Sequence, residues 1–104
     1  MAITSNARTK ANAAGSDTGA RTPEATTAIE GARERIDALD DRIIGLIQER
    51  MAVSSVIQKA RIESGGRRVN IGRENEILAN YSRALGKPGA ALALTLLELS
   101  RGRV

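Results

Sequence analysis

Cysteine, histidine, tryptophan and phenylalanine are all missing from this 104-residue chain, and Tyr81 is its single aromatic residue. Without cysteine there is no disulfide framework and no thiolate nucleophile. Without histidine or cysteine no ordinary zinc site can be built, and a Ser-His-Asp arrangement is excluded. We therefore expect no metal and no cofactor. Chemistry must run on arginine, lysine, carboxylates, amides and hydroxyls. No stretch is long and apolar enough for a transmembrane helix or the core of a signal peptide, so a cytoplasmic protein with no membrane role is expected.

The net charge is +4, and arginine greatly outnumbers lysine. A basic balance points to an anionic partner without naming it. Nucleic acid is disfavoured, because stacking aromatics are almost absent and the basic residues are not gathered on one outer face.

Residues 1–27 are rich in Ala, Thr, Ser and Gly with almost no large apolar side chain. Such a segment buries too little surface to offset its ordering entropy, and a disordered tail is expected there. It also lacks the apolar face of a transit peptide. Residues 28–104 form the domain. Thr26 or Thr27 is the expected cap of its first helix. From there no proline occurs until Pro88, and Ile29, Ile36, Leu39, Ile43, Ile47, Val53 and Ile57 recur at a helical period. Ser64-Gly65-Gly66 is the first strong stop signal. A helix over 28–63 would be about 50 Å long at ~1.5 Å per residue. The forty or so residues left in its own chain cannot cover that length, by roughly the same rise per residue, so self-association is expected. Asn70 is placed to cap a second helix carrying Ile77, Leu78, Tyr81 and Leu85. Gly86-Lys87-Pro88-Gly89 reads as a turn, and a third helix runs through Leu92, Leu94, Leu96, Leu97 and Leu99 to about Ser100. The expected fold is all-α: one long and two short helices per chain, forming an intertwined helical homodimer.

The long helix has an anomaly. The stripe that carries Ile29, Ile36, Ile43, Ile47 and Ile57 also carries Arg33, Asp40, Arg50, Ser54 and Arg61. A guanidinium on an apolar seam either snorkels to water or meets a carboxylate or phosphate. Asp40 lies too far along the helix to serve three arginines. Arg50 and Arg61 would stand about 16 Å apart at the backbone, close enough for two long side chains to share a ligand. Arg33 and Arg61 would stand about 42 Å apart, so they cannot meet one small molecule within one chain. If two long helices pair antiparallel, crossing near residues 42–47, Arg33 of one chain lies opposite the 50–61 stretch of the other. Two equal sites, each of mixed origin, then follow from two-fold symmetry. Arg73 and Glu74 fall in the first turn of the second helix, where backbone N–H groups favour an anion. Alone, that pair would read as an ordinary charged first turn.

The run Ala32-Arg33-Glu34-Arg35-Ile36-Asp37-Ala38-Leu39-Asp40, then Glu49-Arg50, Lys59-Ala60-Arg61 and Arg73-Glu74, resembles the AroQ-type chorismate mutases over about residues 29–104. The intervals from Arg33 to Arg50, Arg61 and Arg73 agree with that family without gaps. The resemblance implies an isomerase that converts chorismate to prephenate by a Claisen-type rearrangement in Phe and Tyr biosynthesis. It implies that Arg33 reaches a substrate carboxylate from the partner subunit, and that Arg50 holds a carboxylate. Arg61 would contact a carboxylate and the ether oxygen, Arg73 would add charge, and Glu74 would accept from the ring hydroxyl. Ser100 matches a serine used near a carboxylate in some members. Asn70 stands where some members carry an acid. A glutamine that assists the ether oxygen elsewhere would fall near Val104, so that donor is expected to be missing. The Gly65-Gly66-Arg67-Arg68 loop and the Arg101-Gly102-Arg103-Val104 ending are similar to the short actinobacterial subclass. Its members are sluggish alone and are activated by a deoxy-heptulosonate-phosphate synthase, which makes that enzyme an expected partner. The alternative from residues alone is a non-catalytic helical dimer acting as a regulatory or binding module.

Overall fold

The computed structural model describes residues 17–67 and 69–101. Three helices account for most of them: α1 (Pro23–Glu63), α2 (Ile71–Leu85) and α3 (Lys87–Ser100), with no strand among the described residues. The all-helical layout of one long and two short helices matches the expectation from the sequence. The expectations for residues 1–16, Arg68 and the 102–104 ending, including the missing donor near Val104, lie outside the described residues. By its internal contacts the chain divides into two units, Met1–Gly45 and Leu46–Val104.

In the first unit, α1 begins at Pro23 and not near residue 28. The reason is local. Thr22 accepts the Ala25 N–H on its hydroxyl at 3.1 Å and the Thr26 N–H on its carbonyl at 3.0 Å. Proline at the first helical position gives up no hydrogen bond, and its fixed φ suits the helix. Glu24 in the first turn complements the helix dipole. Thr22-Pro23-Glu24 is therefore the start signal, and Thr26 and Thr27 lie inside the helix.

In the second unit, α1 ends where the Ser64-Gly65-Gly66 signal places it. Gly65 takes φ 85°, the Gly66 N–H donates to the Arg61 carbonyl at 2.7 Å, and the Gly65 N–H donates to the Ile62 carbonyl at 3.0 Å. This paired closure satisfies carbonyls that the last turn would otherwise leave open. Asn70 caps α2 as expected, with its side-chain oxygen accepting the Arg73 N–H at 3.0 Å.

The connection from α2 to α3 is tighter than the sequence suggests. Gly86 alone turns the chain, at φ 80°, and α3 starts at Lys87 with Pro88 in its first turn. Gly89, expected in the turn, is helical and buried. A Cβ on Gly89 would overlap the Tyr81 carbonyl oxygen and stand 2.8 Å from its carbonyl carbon. Glycine here lets α3 close onto the backbone of α2. The two helices pack on each other, and the small core lies on α3: Ala93, Leu96 and Leu97. Ile77, Leu78 and Tyr81 of α2 are half-buried, while Leu85 is exposed.

α1 buries no residue at all. Ile36, Leu39, Ile43, Ile44 and Leu46 are each about half-exposed or more, from 48% for Leu39 to 60% for Leu46. Covering a Leu or Ile fully is worth roughly 1.5–3 kcal/mol, so a row of half-covered ones leaves several kcal/mol unrealised in one chain.

Candidate functional site

The site is a pocket of about 250 Å³ in the second unit, with contributions from all three helices. From α1 come Arg50, Ser54, Gln58 and Arg61, spaced by four, four and three residues. That spacing keeps them on one face of the helix, and all four are half-buried. Val53 and Ile57 supply apolar wall beside them. From the start of α2 come Asn70, Arg73, Glu74 and Ile77, and from the end of α3 come Leu97 and Ser100, followed by Arg101.

Ser100 organises one wall. It is buried, at 7% exposure, and three side chains of α1 converge on it. Arg50 donates from Nη1 to the Ser100 hydroxyl at 2.9 Å. Ser54 donates its hydroxyl to the Ser100 carbonyl at 3.0 Å, and Gln58 donates its amide to the same carbonyl at 3.4 Å. A carbonyl in the last turn of a helix has no partner within its own helix. Here α1 provides that partner, and the same contacts hold the Arg50 guanidinium against the pocket wall.

A second set of contacts at the pocket is ionic. Arg101 donates from Nη2 to Glu74 Oε1 at 2.8 Å, joining the end of α3 to the first turn of α2. Arg73 lines the pocket and pairs with Glu76 at 3.2 Å, with both side chains well exposed. At the start of α2 two backbone N–H groups meet the cap residue. Asn70 takes the Arg73 N–H on its side chain and the Glu74 N–H on its carbonyl.

Four guanidinium groups and one carboxylate line the pocket. This composition suits a small ligand with more than one negative charge and a hydroxyl for the carboxylate. Arg50, Arg61, Arg73, Glu74, Asn70 and Ser100, all singled out in the sequence, come together here. Arg33 belongs to the first unit and is not among the lining residues. Sequence reasoning missed Ser54 as a pocket-lining group, although it sits on the arginine stripe. It missed Gln58, one position off that stripe, and Arg101, read only as part of the chain ending. No metal-binding cluster of acidic, His or Cys residues occurs among the described residues, and no described helix is long and apolar enough to cross a membrane.

Comparison with known proteins places the chain in a family. The family model for chorismate mutase type II matches residues 32–96. The intracellular chorismate mutase of Mycolicibacterium smegmatis is 46% identical over 83 residues, covering 80% of this chain and 80% of that protein. That of Mycobacterium tuberculosis is 46% identical over 76 residues, covering 73% and 71%. Among solved structures, a chain of the non-covalent complex of DAHP synthase and chorismate mutase from Corynebacterium glutamicum, with bound transition state analog, aligns at a TM-score of 0.74. It shares 35% identity and covers 79% of this chain and 99% of its own.

Proposed function

We propose, for a chain that belongs to the type II chorismate mutases, that the pocket lined by Arg50, Arg61, Arg73 and Glu74 is where chorismate is bound and rearranged to prephenate. The observation that carries this reading is the convergence of those arginines and one carboxylate on a single pocket, in a chain with no histidine or cysteine. The reaction asks for no nucleophile, metal or redox group. The substrate carries two carboxylates that must be drawn into a compact, chair-like geometry, and guanidinium clamps at Arg50 and Arg73 serve that orientation. As the ether C–O bond breaks and the new C–C bond forms, negative charge grows on the ether oxygen. A fixed cation at Arg61 stabilises that charge more than it stabilises the ground state, which lowers the barrier. Glu74 accepts from the ring hydroxyl, with Asn70 beside it. Ser100 holds Arg50 in place and lies near the carboxylate it grips.

The same reading makes the protein a homodimer. The half-exposed apolar residues of α1 need a cover, and a second copy in antiparallel pairing supplies it. Arg33 of the partner subunit would then complete each pocket. We place the protein in the cytoplasm, in keeping with relatives named as intracellular. A DAHP synthase is the proposed activating partner, supported by the solved complex in which the Corynebacterium glutamicum mutase is found.

The test is loss of chorismate absorbance with the purified full chain, alone and with a DAHP synthase. Turnover is expected in both conditions, higher with the synthase, and Arg61→Ala should lower it by about 10²–10³. Deleting residues 101–104 should abolish the gain from the synthase. No turnover in either condition overturns the catalytic reading. An unchanged activation ratio after the deletion overturns the role of the ending.

A further inference from the structure

The end of α3 makes two kinds of contact at the pocket, and they fall on adjacent residues. Ser100 is tied to α1 by the three hydrogen bonds from Arg50, Ser54 and Gln58. Arg101, the next residue, crosses to α2 and meets Glu74. With Ser100 fixed, the backbone origin of the Arg101 side chain is fixed as well. Its backbone N–H closes the helix end with a tighter turn, donating to the Glu98 carbonyl at 3.4 Å.

The ion pair itself is not a strong stabiliser. Its side chains are 42% and 21% exposed, and a pair in partial contact with water contributes little to folding. Its geometry is more informative. Glu74 is the less exposed partner and lines the pocket. An ionised carboxylate accepts at about four lone-pair sites, so one guanidinium nitrogen on Oε1 leaves capacity for a hydroxyl. A glutamate side chain has three rotatable bonds before its carboxylate, and holding one oxygen removes much of that freedom.

We propose that Arg101 is a positioning residue, which orients the Glu74 carboxylate to accept the ligand hydroxyl and acts through Glu74 without touching the ligand. The inference rests on the hydroxyl-accepting role proposed for Glu74. It also gives the tether at Ser100 a second purpose: the contacts that hold Arg50 also set the position of Glu74.

The test is a double-mutant cycle on the full chain with chorismate, reading kcat and KM for wild type, Arg101→Ala, Arg101→Lys, Glu74→Ala and the double variant. Circular dichroism and the thermal midpoint confirm that each variant folds. Arg101→Ala should lower kcat/KM about tenfold to a hundredfold, the scale expected when a reacting arrangement is slightly misplaced. Arg101→Lys should recover most of that loss, since an ammonium can still hold one carboxylate oxygen. In the Glu74→Ala background, where neither the pair nor the hydroxyl acceptor remains, the further change on adding Arg101→Ala should shrink to within about twofold, because residues acting through one contact are not additive. An equal loss in both backgrounds would overturn the proposal, because Arg101 would then act independently of Glu74. Full activity of Arg101→Ala would overturn it too. Full activity of Glu74→Ala would remove the hydroxyl role of Glu74 and this inference with it. A large loss with Arg61→Ala would still leave the mutase reading standing.

Discussion

Arg50 and Ser100 stand fifty residues apart in the chain and 2.9 Å apart at their side chains. That contact shows how single residues build this site: a charge on α1 is steadied by a small hydroxyl at the end of α3. Gly89 has an equally specific task. It is helical, buried and pressed against the Tyr81 carbonyl, where a methyl group cannot fit without moving backbone. Gly89→Ala should destabilise the protein by about 1–3 kcal/mol through overpacking. Gly31→Ala is the control: nothing stands within 4 Å of the position its Cβ would take, so it should be neutral or slightly stabilising. Urea unfolding at fixed protein concentration checks both, and equal behaviour of the two variants would contradict the close approach of α2 and α3. Much at this scale is legible in the sequence. Arg50, Arg61 and Arg73 stand out because a charge on an apolar stripe, or at a helix start, breaks a pattern. Ser54, Gln58 and Arg101 break none. A serine or glutamine on a helix face and an arginine near a chain end are ordinary, and their roles come from contacts with residues more than twenty-five positions away.

The helices were readable as kinds, and less so as boundaries. Periodicity and the double glycine give the existence of α1 and its end near Glu63. Its start at Pro23 is not marked by periodicity, because the segment before Ile29 carries no apolar period, while capping by Thr22 needs none. The α2–α3 turn is narrower than the sequence suggests, because Gly86 and Pro88 together point to a longer loop than the one residue used. What the sequence did convey about α1 is that it needs a cover, and its exposed Ile36, Leu39, Ile43 and Leu46 agree. Ile43→Asp places a charge on that face, twice over in a symmetric dimer, where an unpaired buried carboxylate costs several kcal/mol. Light scattering should then report the mass of a single chain in place of two, and chorismate turnover should fall with it. A variant that keeps the wild-type mass would contradict the assignment of this face to a second copy.

At the scale of the whole molecule, the family and the reaction class are legible because four cations, three on α1 and Arg73 at the start of α2, stand at the spacing of the family they resemble. The non-catalytic alternative loses its footing against a family model that spans residues 32–96. The arrangement of two chains is the part that one chain cannot display, and it rests on Arg33. Each pocket is proposed to take Arg50, Arg61 and Arg73 from one chain and Arg33 from the other, which makes complementation the decisive measurement. Arg33→Ala and Arg61→Ala homodimers should each be nearly inactive. When the two are mixed, unfolded and refolded together, about half the dimers should be mixed by random pairing, and two-fold symmetry gives each of these one doubly damaged pocket and one intact pocket. Chorismate turnover should then rise to roughly a quarter of the wild-type value, by the same symmetry. If the refolded mixture is no more active than either parent, while wild-type protein taken through the same cycle regains full activity, Arg33 and Arg61 do not act across an interface and the shared pocket is wrong.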